Sequence, residues 1–153
     1  LIDMGTGMYV VIGILDALRT RDLTGKGTLL EFNLLESALS WMSQSIANFS
    51  RTGKVPERTG SALASFSPYQ VFNARNGQVF IGASTDIFWQ KLCRALKAGE
   101  LLGDKRFSTM KERVSNRRIL SGLIDARLRH YDVASILTKL RSAGVPCAPV
   151  LDI

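Results

Sequence analysis

One carboxylate stands out by its neighbours. Asp3 precedes Met4-Gly5-Thr6-Gly7, and Met8, Val11, Ile12, Leu15 and Leu18 then recur at helical spacing. An aspartate at a helix start can cap the first free N–H groups, worth ~1 kcal/mol, with its charge stabilised by the helix dipole. It can also act as a nucleophile where glycines remove side-chain bulk beside it and let a large ligand approach. Gly5 and Gly7 are the candidate approach glycines. Spacing alone leaves both readings open. Gly5-Thr6-Gly7 has the look of a dinucleotide loop, but the third glycine is missing and Tyr9-Val10 follows, so it is a weak phosphate motif.

Other chemistries find little support. The chain has one histidine, His130, and two cysteines, Cys93 and Cys147, which lie far apart with no partner at ligand spacing. No metal site is expected, and neither a Ser-His-Asp nor a Cys-His arrangement can be assembled. His130, at a helix C-terminus, reads as a dipole or capping residue. Two distant cysteines make no disulfide framework, no secretion signal is legible from Leu1 onward, and a reducing cytoplasm is the expected compartment.

The elements that must hold Asp3 follow from the periodicity. Residues 4–21 are expected to form a helix buried nearly all round, because Tyr9, Val10 and Ile14 make its second side apolar too. Leu23-Thr24-Gly25-Lys26-Gly27 ends it, residues 28–33 read as a short strand, and Leu35, Ala38, Leu39, Met42, Ile46 and Phe49 predict a second helix ending near Gly53. Residues 54–68 have no period and are the candidate linker. Beyond them Asn76-Gly77 signals a hairpin between residues 69–75 and 78–83. Three helical segments follow, over 86–96, 109–129 and 133–142, with Gly99, Asp132 as N-cap and Gly144 as boundary signals. Prolines 146 and 149 hold the residues around them extended. The chain thus reads as a helix-strand-helix piece followed by a compact α+β unit.

Composition sets the bounds. With 153 residues, 46% hydrophobic and 22% charged, the chain is an ordinary globular protein rather than a disordered or fibrous one. Its longest apolar stretch, residues 8–15, falls far short of the ~20 residues a membrane span needs. Twenty Lys and Arg against thirteen Asp and Glu leave a net charge of +7, which suits a solvated basic surface, a phosphorylated or carboxylate ligand, or nucleic acid. The cations are scattered among acids with no nucleic-acid motif, which sets the last reading aside.

The motifs taken in order resemble the central segment of family III CoA-transferases, the group that includes formyl-CoA transferase, carnitine CoA-transferase and α-methylacyl-CoA racemase. The likeness is carried by Asp3-Met4-Gly5-Thr6-Gly7-Met8, Gly13-Ile14-Leu15-Asp16-Ala17-Leu18, Thr24-Gly25-Lys26-Gly27 and Leu34-Leu35-Glu36-Ser37-Ala38. It continues through Thr52-Gly53 with Pro56 and Arg58, Pro68-Tyr69-Gln70 with Phe72, Arg113-Val114 with Asn116-Arg117, and Gly144-Val145-Pro146-Cys147 with Pro149-Val150.

The resemblance implies an α/β fold. Residues 1–53 would be the end of a Rossmann-like large domain carrying the catalytic Asp3, residues 54–68 a linker, and residues 69–153 a small α+β domain of an interlocked homodimer. It implies CoA transfer from an acyl-CoA, succinyl-type rather than formyl or oxalyl, to a carboxylic acid through an aspartyl covalent intermediate. CoA is then a substrate, and no permanently bound cofactor is expected. Most CoA-binding residues of the family lie upstream of the aspartate, so this chain alone is expected to be inactive. Two alternatives stand beside that reading: a non-catalytic piece that folds and oligomerises without binding CoA, and a racemase-type enzyme.

Overall fold

A computed structural model describes residues 1–152. The chain divides into two compact units, Leu1–Glu57 and Arg58–Ile153.

The first unit is helical. Helix α1 spans Ile2–Thr24. The expected burial all round is not what the structure has: only Gly5 and Thr6 of α1 are buried, and Met4, Met8, Ile12 and Leu15 are more than half exposed. The helical spacing was a sound guide to the element but not to its cover: a helix apolar on every side needs neighbours on every side, and within this unit Trp41 and Phe32 cover one stripe of it. The expected strand over residues 28–33 is also absent; residues 26–33 carry no regular structure. A strand exists only through ladder bonds to a neighbour, and none forms among the described residues.

The predicted second helix is two: α2, Leu34–Trp41, and α3, Ser43–Thr52. They part at Met42 (φ −92°, ψ 8°), whose N–H is shared between the carbonyls of Ala38 at 3.2 Å and Leu39 at 3.1 Å. Asn33 starts α2, its Oδ1 accepting the Glu36 N–H at 2.7 Å.

In the second unit, β1 (Tyr69–Ala74), β2 (Gly77–Gly82) and β3 (Cys147–Pro149) form an antiparallel sheet in the order β1-β2-β3. The hairpin stands where expected, but Ala74 pairs with Gly77, so Arg75-Asn76 is the turn. The shift has a tertiary cause. Helix α8, Val133–Ser142, has its Val133 N–H bound to Asn76 Oδ1 at 2.8 Å, while Asp132 makes no cap bond and instead holds Arg75 at 2.9 and 2.5 Å. Asp132 thus holds the expected N-cap position, while the capping bond comes from the hairpin's asparagine.

Helix α4, Asp86–Ala95, is capped by Thr85, whose Oγ1 accepts from Phe88 N–H. Its end is marked by Lys97 at φ 50° rather than by Gly99. A short helix α5 (Glu100–Gly103) and a 3-10 turn (Lys105–Phe107) follow, neither legible in the sequence. The expected helix over 109–129 breaks into α6 (Met110–Ser115) and α7 (Arg117–Leu128) at Asn116, whose Nδ2 donates to the carbonyls of Arg106 and Glu112. Gly144 ends α8 in the left-handed region at φ 67°, as its position suggested.

The core of this unit packs the inner faces of β1 and β2 (Phe72, Val79, Ile81) against Trp89 and Leu92 of α4, Leu120 and Ile124 of α7, and Ile136 and Leu140 of α8. Arg113 lies within it at 0% exposure. Its guanidinium donates to the carbonyls of Ser67 at 3.1 Å and Phe107 at 3.0 Å, meets Asp86 at 2.5 Å, and sits 5.4 Å from the Trp89 ring. Arg117 donates to the Leu63 and Ala64 carbonyls, both at 2.9 Å, and Ser61 Oγ accepts the Val71 N–H. Within the expected linker, residues from Arg58 onward therefore belong to the second unit.

Candidate active site

Asp3 sits in the first turn of α1 with its side chain exposed. Leu1 holds the N-cap position, so Asp3 is not the cap that its place in the sequence suggested. It lies two residues further along, in the first turn of the helix. The turn is tied by Thr6 Oγ1, which donates to the Ile2 carbonyl at 2.9 Å.

The two candidate approach glycines differ. Gly7 follows Asp3 by four residues, on the same face of the helix, and a Cβ built there meets nothing within 4 Å. The surface beside the carboxylate is thus bare backbone. Gly5 lies roughly 200° around the helix from Asp3. A Cβ on Gly5 would stand 2.5 Å from Cζ2 of Trp41 and closer still to Cη2, so the group that approaches this glycine is an indole of the same unit. Trp41 Nε1 donates to the Tyr9 hydroxyl at 3.1 Å, and that hydroxyl is 2.9 Å from Ser40 Oγ. Nothing in the spacing of the sequence announced this cluster except the fall of Gly5, Tyr9 and Gly13 four residues apart.

Elsewhere several ionisable groups are occupied structurally. Arg75 pairs with Asp132, Arg106 with Asp104, Arg113 with Asp86 and Arg127 with Glu100, which takes four of the cations away from any anionic ligand. Burial pushes the Cys93 thiol up to about 12 and raises that of Cys147, so neither is an activated nucleophile. His130 follows the end of α7 and is exposed. Among the described residues no group of three or more His, Cys, Asp or Glu could hold a metal ion, and no helix is long and apolar enough to cross a membrane. A cavity of about 280 Å³ lined by Met42, Ser45, Ile46, Phe49, Val55 and Pro56 suits an apolar group rather than a phosphate.

The chain belongs to CoA-transferase family III, whose profile matches residues 1–153. It is 31% identical over 151 residues to an acetyl-CoA:oxalate CoA-transferase from Acetobacter aceti, covering 99% of this chain and 39% of that protein. It is 32% identical over 148 residues to a succinyl-CoA:glutarate CoA-transferase from Mus musculus, covering 97% of this chain and 34% of the relative. Among solved structures, a CAIB/BAIF family protein from Brucella suis superposes with a TM-score of 0.82 at 34% identity, over 99% of this chain and 40% of that one. The chain therefore spans between a third and two fifths of the length of these proteins.

Proposed function

We propose that this chain supplies the nucleophile of an acyl-CoA:carboxylate CoA-transferase, with Asp3 as the catalytic residue. The observation that carries the reading is the exposed Asp3 carboxylate beside bare backbone at Gly7, in a chain of this family. The Asp3 carboxylate attacks the thioester carbonyl of the donor, forms an acyl-aspartyl anhydride and releases CoA thiolate. The thiolate attacks the aspartyl carbonyl and displaces the donor acid, leaving an aspartyl-CoA thioester. The acceptor carboxylate attacks that thioester, releasing CoA thiolate again, which then takes the new acyl group and frees Asp3.

The two curated relatives described above carry names that pair a CoA thioester with a dicarboxylate, and both are transferases, which favours transfer over racemisation and a dicarboxylate as acceptor. A succinyl-type donor follows the second of them. In the same reading, residues 1–53 end a large nucleotide-fold domain, 54–68 lead into the small domain 69–153 and join it from Arg58 onward, and the working protein is a cytoplasmic homodimer. Residues 1–153 alone do not turn over, since they span so little of the relatives' length.

Incubating the intact protein with succinyl-CoA and hydroxylamine should convert Asp3 to its hydroxamate, read by peptide mass spectrometry. Transfer activity that survives Asp3→Ala would overturn the assignment.

A further inference from the structure

Three residues of α1, Gly5, Tyr9 and Gly13, follow one another at four-residue intervals and so form one stripe along the helix. The structure fills that stripe with aromatic rings. Trp41, the last residue of α2, lies on Gly5, and Phe32 lies on Gly13, where a Cβ would stand 3.1 Å from Cε1 and closer still to Cζ. Between them the Tyr9 hydroxyl accepts from Trp41 Nε1 at 3.1 Å and meets Ser40 Oγ at 2.9 Å, while Ser40 Oγ donates to the Ser37 carbonyl at 2.8 Å.

Each part restrains a different motion. An aromatic ring against a glycine backbone fits only when that glycine faces it, so two such seats two helical turns apart oppose rotation of α1 about its axis. The Trp41 N–H to Tyr9 bond opposes sliding along it. Asp3 and Gly7 lie on the opposite side of the helix from this stripe, roughly 200° around from Gly5. They are held outward without being touched by the clamp.

We propose that Trp41 and Phe32, seated on Gly5 and Gly13 and pinned through Tyr9, are positioning residues that fix the rotation of α1 and thereby aim Asp3 at the thioester. This inference rests on the assignment of Asp3 as nucleophile. A wrong rotation leaves substrate binding intact and moves the attacking oxygen off line, and a displacement of ~1 Å can cost as much as 10²-fold in rate.

The test uses the intact protein carrying Trp41→Ala, Trp41→Phe or Tyr9→Phe, with two readouts. Hydrogen exchange of the amides of residues 5–9 reports the clamp, independently of any activity. Single-turnover acylation of Asp3, against the Kd for the acyl-CoA, reports the aim. Trp41→Ala is expected to speed exchange about tenfold or more and to slow acylation about 10–100-fold, with Kd within about twofold. Tyr9→Phe, which removes only the hydroxyl and leaves the indole on Gly5, should keep acylation within about threefold of wild type, and Trp41→Phe, which loses the distal indole atoms and the N–H, should lie between it and Trp41→Ala.

Unchanged exchange in Trp41→Ala overturns the clamp. Faster exchange with unchanged acylation shows a clamp that does not aim Asp3, and overturns the proposal as well. So does a rise in Kd that accounts for the whole effect. Transfer that persists in Asp3→Ala counts against the nucleophile and leaves the exchange result to decide the clamp.

Discussion

Replacing Arg113 by methionine tests the architecture of the second unit most sharply. The side chain is wholly buried, and a methionine fills much of the space of its stem, so the change removes mainly the guanidinium. Two carbonyl oxygens in the interior, of Ser67 and Phe107, lose donors at 3.1 and 3.0 Å. Each buried acceptor left without a partner costs ~1–3 kcal/mol, and the lost cation–π contact with Trp89 adds ~0.5–2 kcal/mol. Asp86, whose side chain is 67% exposed, rehydrates and adds little. Together the loss is at least about 2.5 kcal/mol, a large part of the stability of a unit this size, and lowers Tm by at least roughly 10 °C. Urea unfolding followed by far-UV circular dichroism measures it; indole fluorescence is a poor choice because Trp89 touches the mutated site. Adding Asp86→Ala to Arg113→Met should cost less than about 1 kcal/mol more, since the pair no longer exists, whereas Asp86→Ala alone strands a buried cation. An Arg113→Met loss below about 1 kcal/mol would refute the argument, because it would mean that the two carbonyls find partners without the arginine.

Two further expectations follow from the same geometry. Gly7→Ala meets no neighbour and replaces the poorer helix former, so it should stabilise α1 by up to ~1 kcal/mol while slowing acylation of Asp3; a variant that is more stable and fully active would remove Gly7 from the site. Cys93, held as the neutral thiol by burial, should resist a thiol reagent in the folded protein and react only on unfolding. Because its folded pKa is raised, the associated stability is full below 9.0 and is lost as pH rises from there toward about 12, so the urea midpoint should fall across that window and recover in Cys93→Ala only in its pH dependence.

Much of this molecule could be read before its structure was known, and the misses share a cause. Local chemistry located the hairpin, α4, α8 and the stop at Gly144, because turn residues, caps and periodicity act over a few neighbours. What failed depended on partners distant in sequence. Asn76-Gly77 gave the hairpin but not its turn, since Asn76 is drawn to Val133, far along the chain. Residues 28–33 have strand-forming side chains and no strand to pair with among the described residues. Arg113 looks in sequence like any helical arginine, and only the carbonyls of Ser67 and Phe107 reveal it as an interior residue. Around the proposed site, the start of α1 beside Asp3 was legible because helix signals act over a few neighbours, whereas the aromatic cover of Gly5 comes from Trp41, one helix away, and had no local signal.

The bond from Asn76 to the start of α8 also bears on the order in which the sheet can be built. β3 pairs with β2 through Val79 with Pro149 and Ile81 with Cys147, which on a bare chain means closing a loop of some seventy residues before any ladder bond is gained. Once Asn76 and Arg75 have taken hold of Val133 and Asp132, the hairpin tip and the head of α8 are already together, and only the helix and its Gly144 turn separate β3 from its seat. Closing that first loop, with 57 positions between Asn76 and Val133, is itself a non-local step, but one closure then serves both the turn's bonds and the edge strand's ladder.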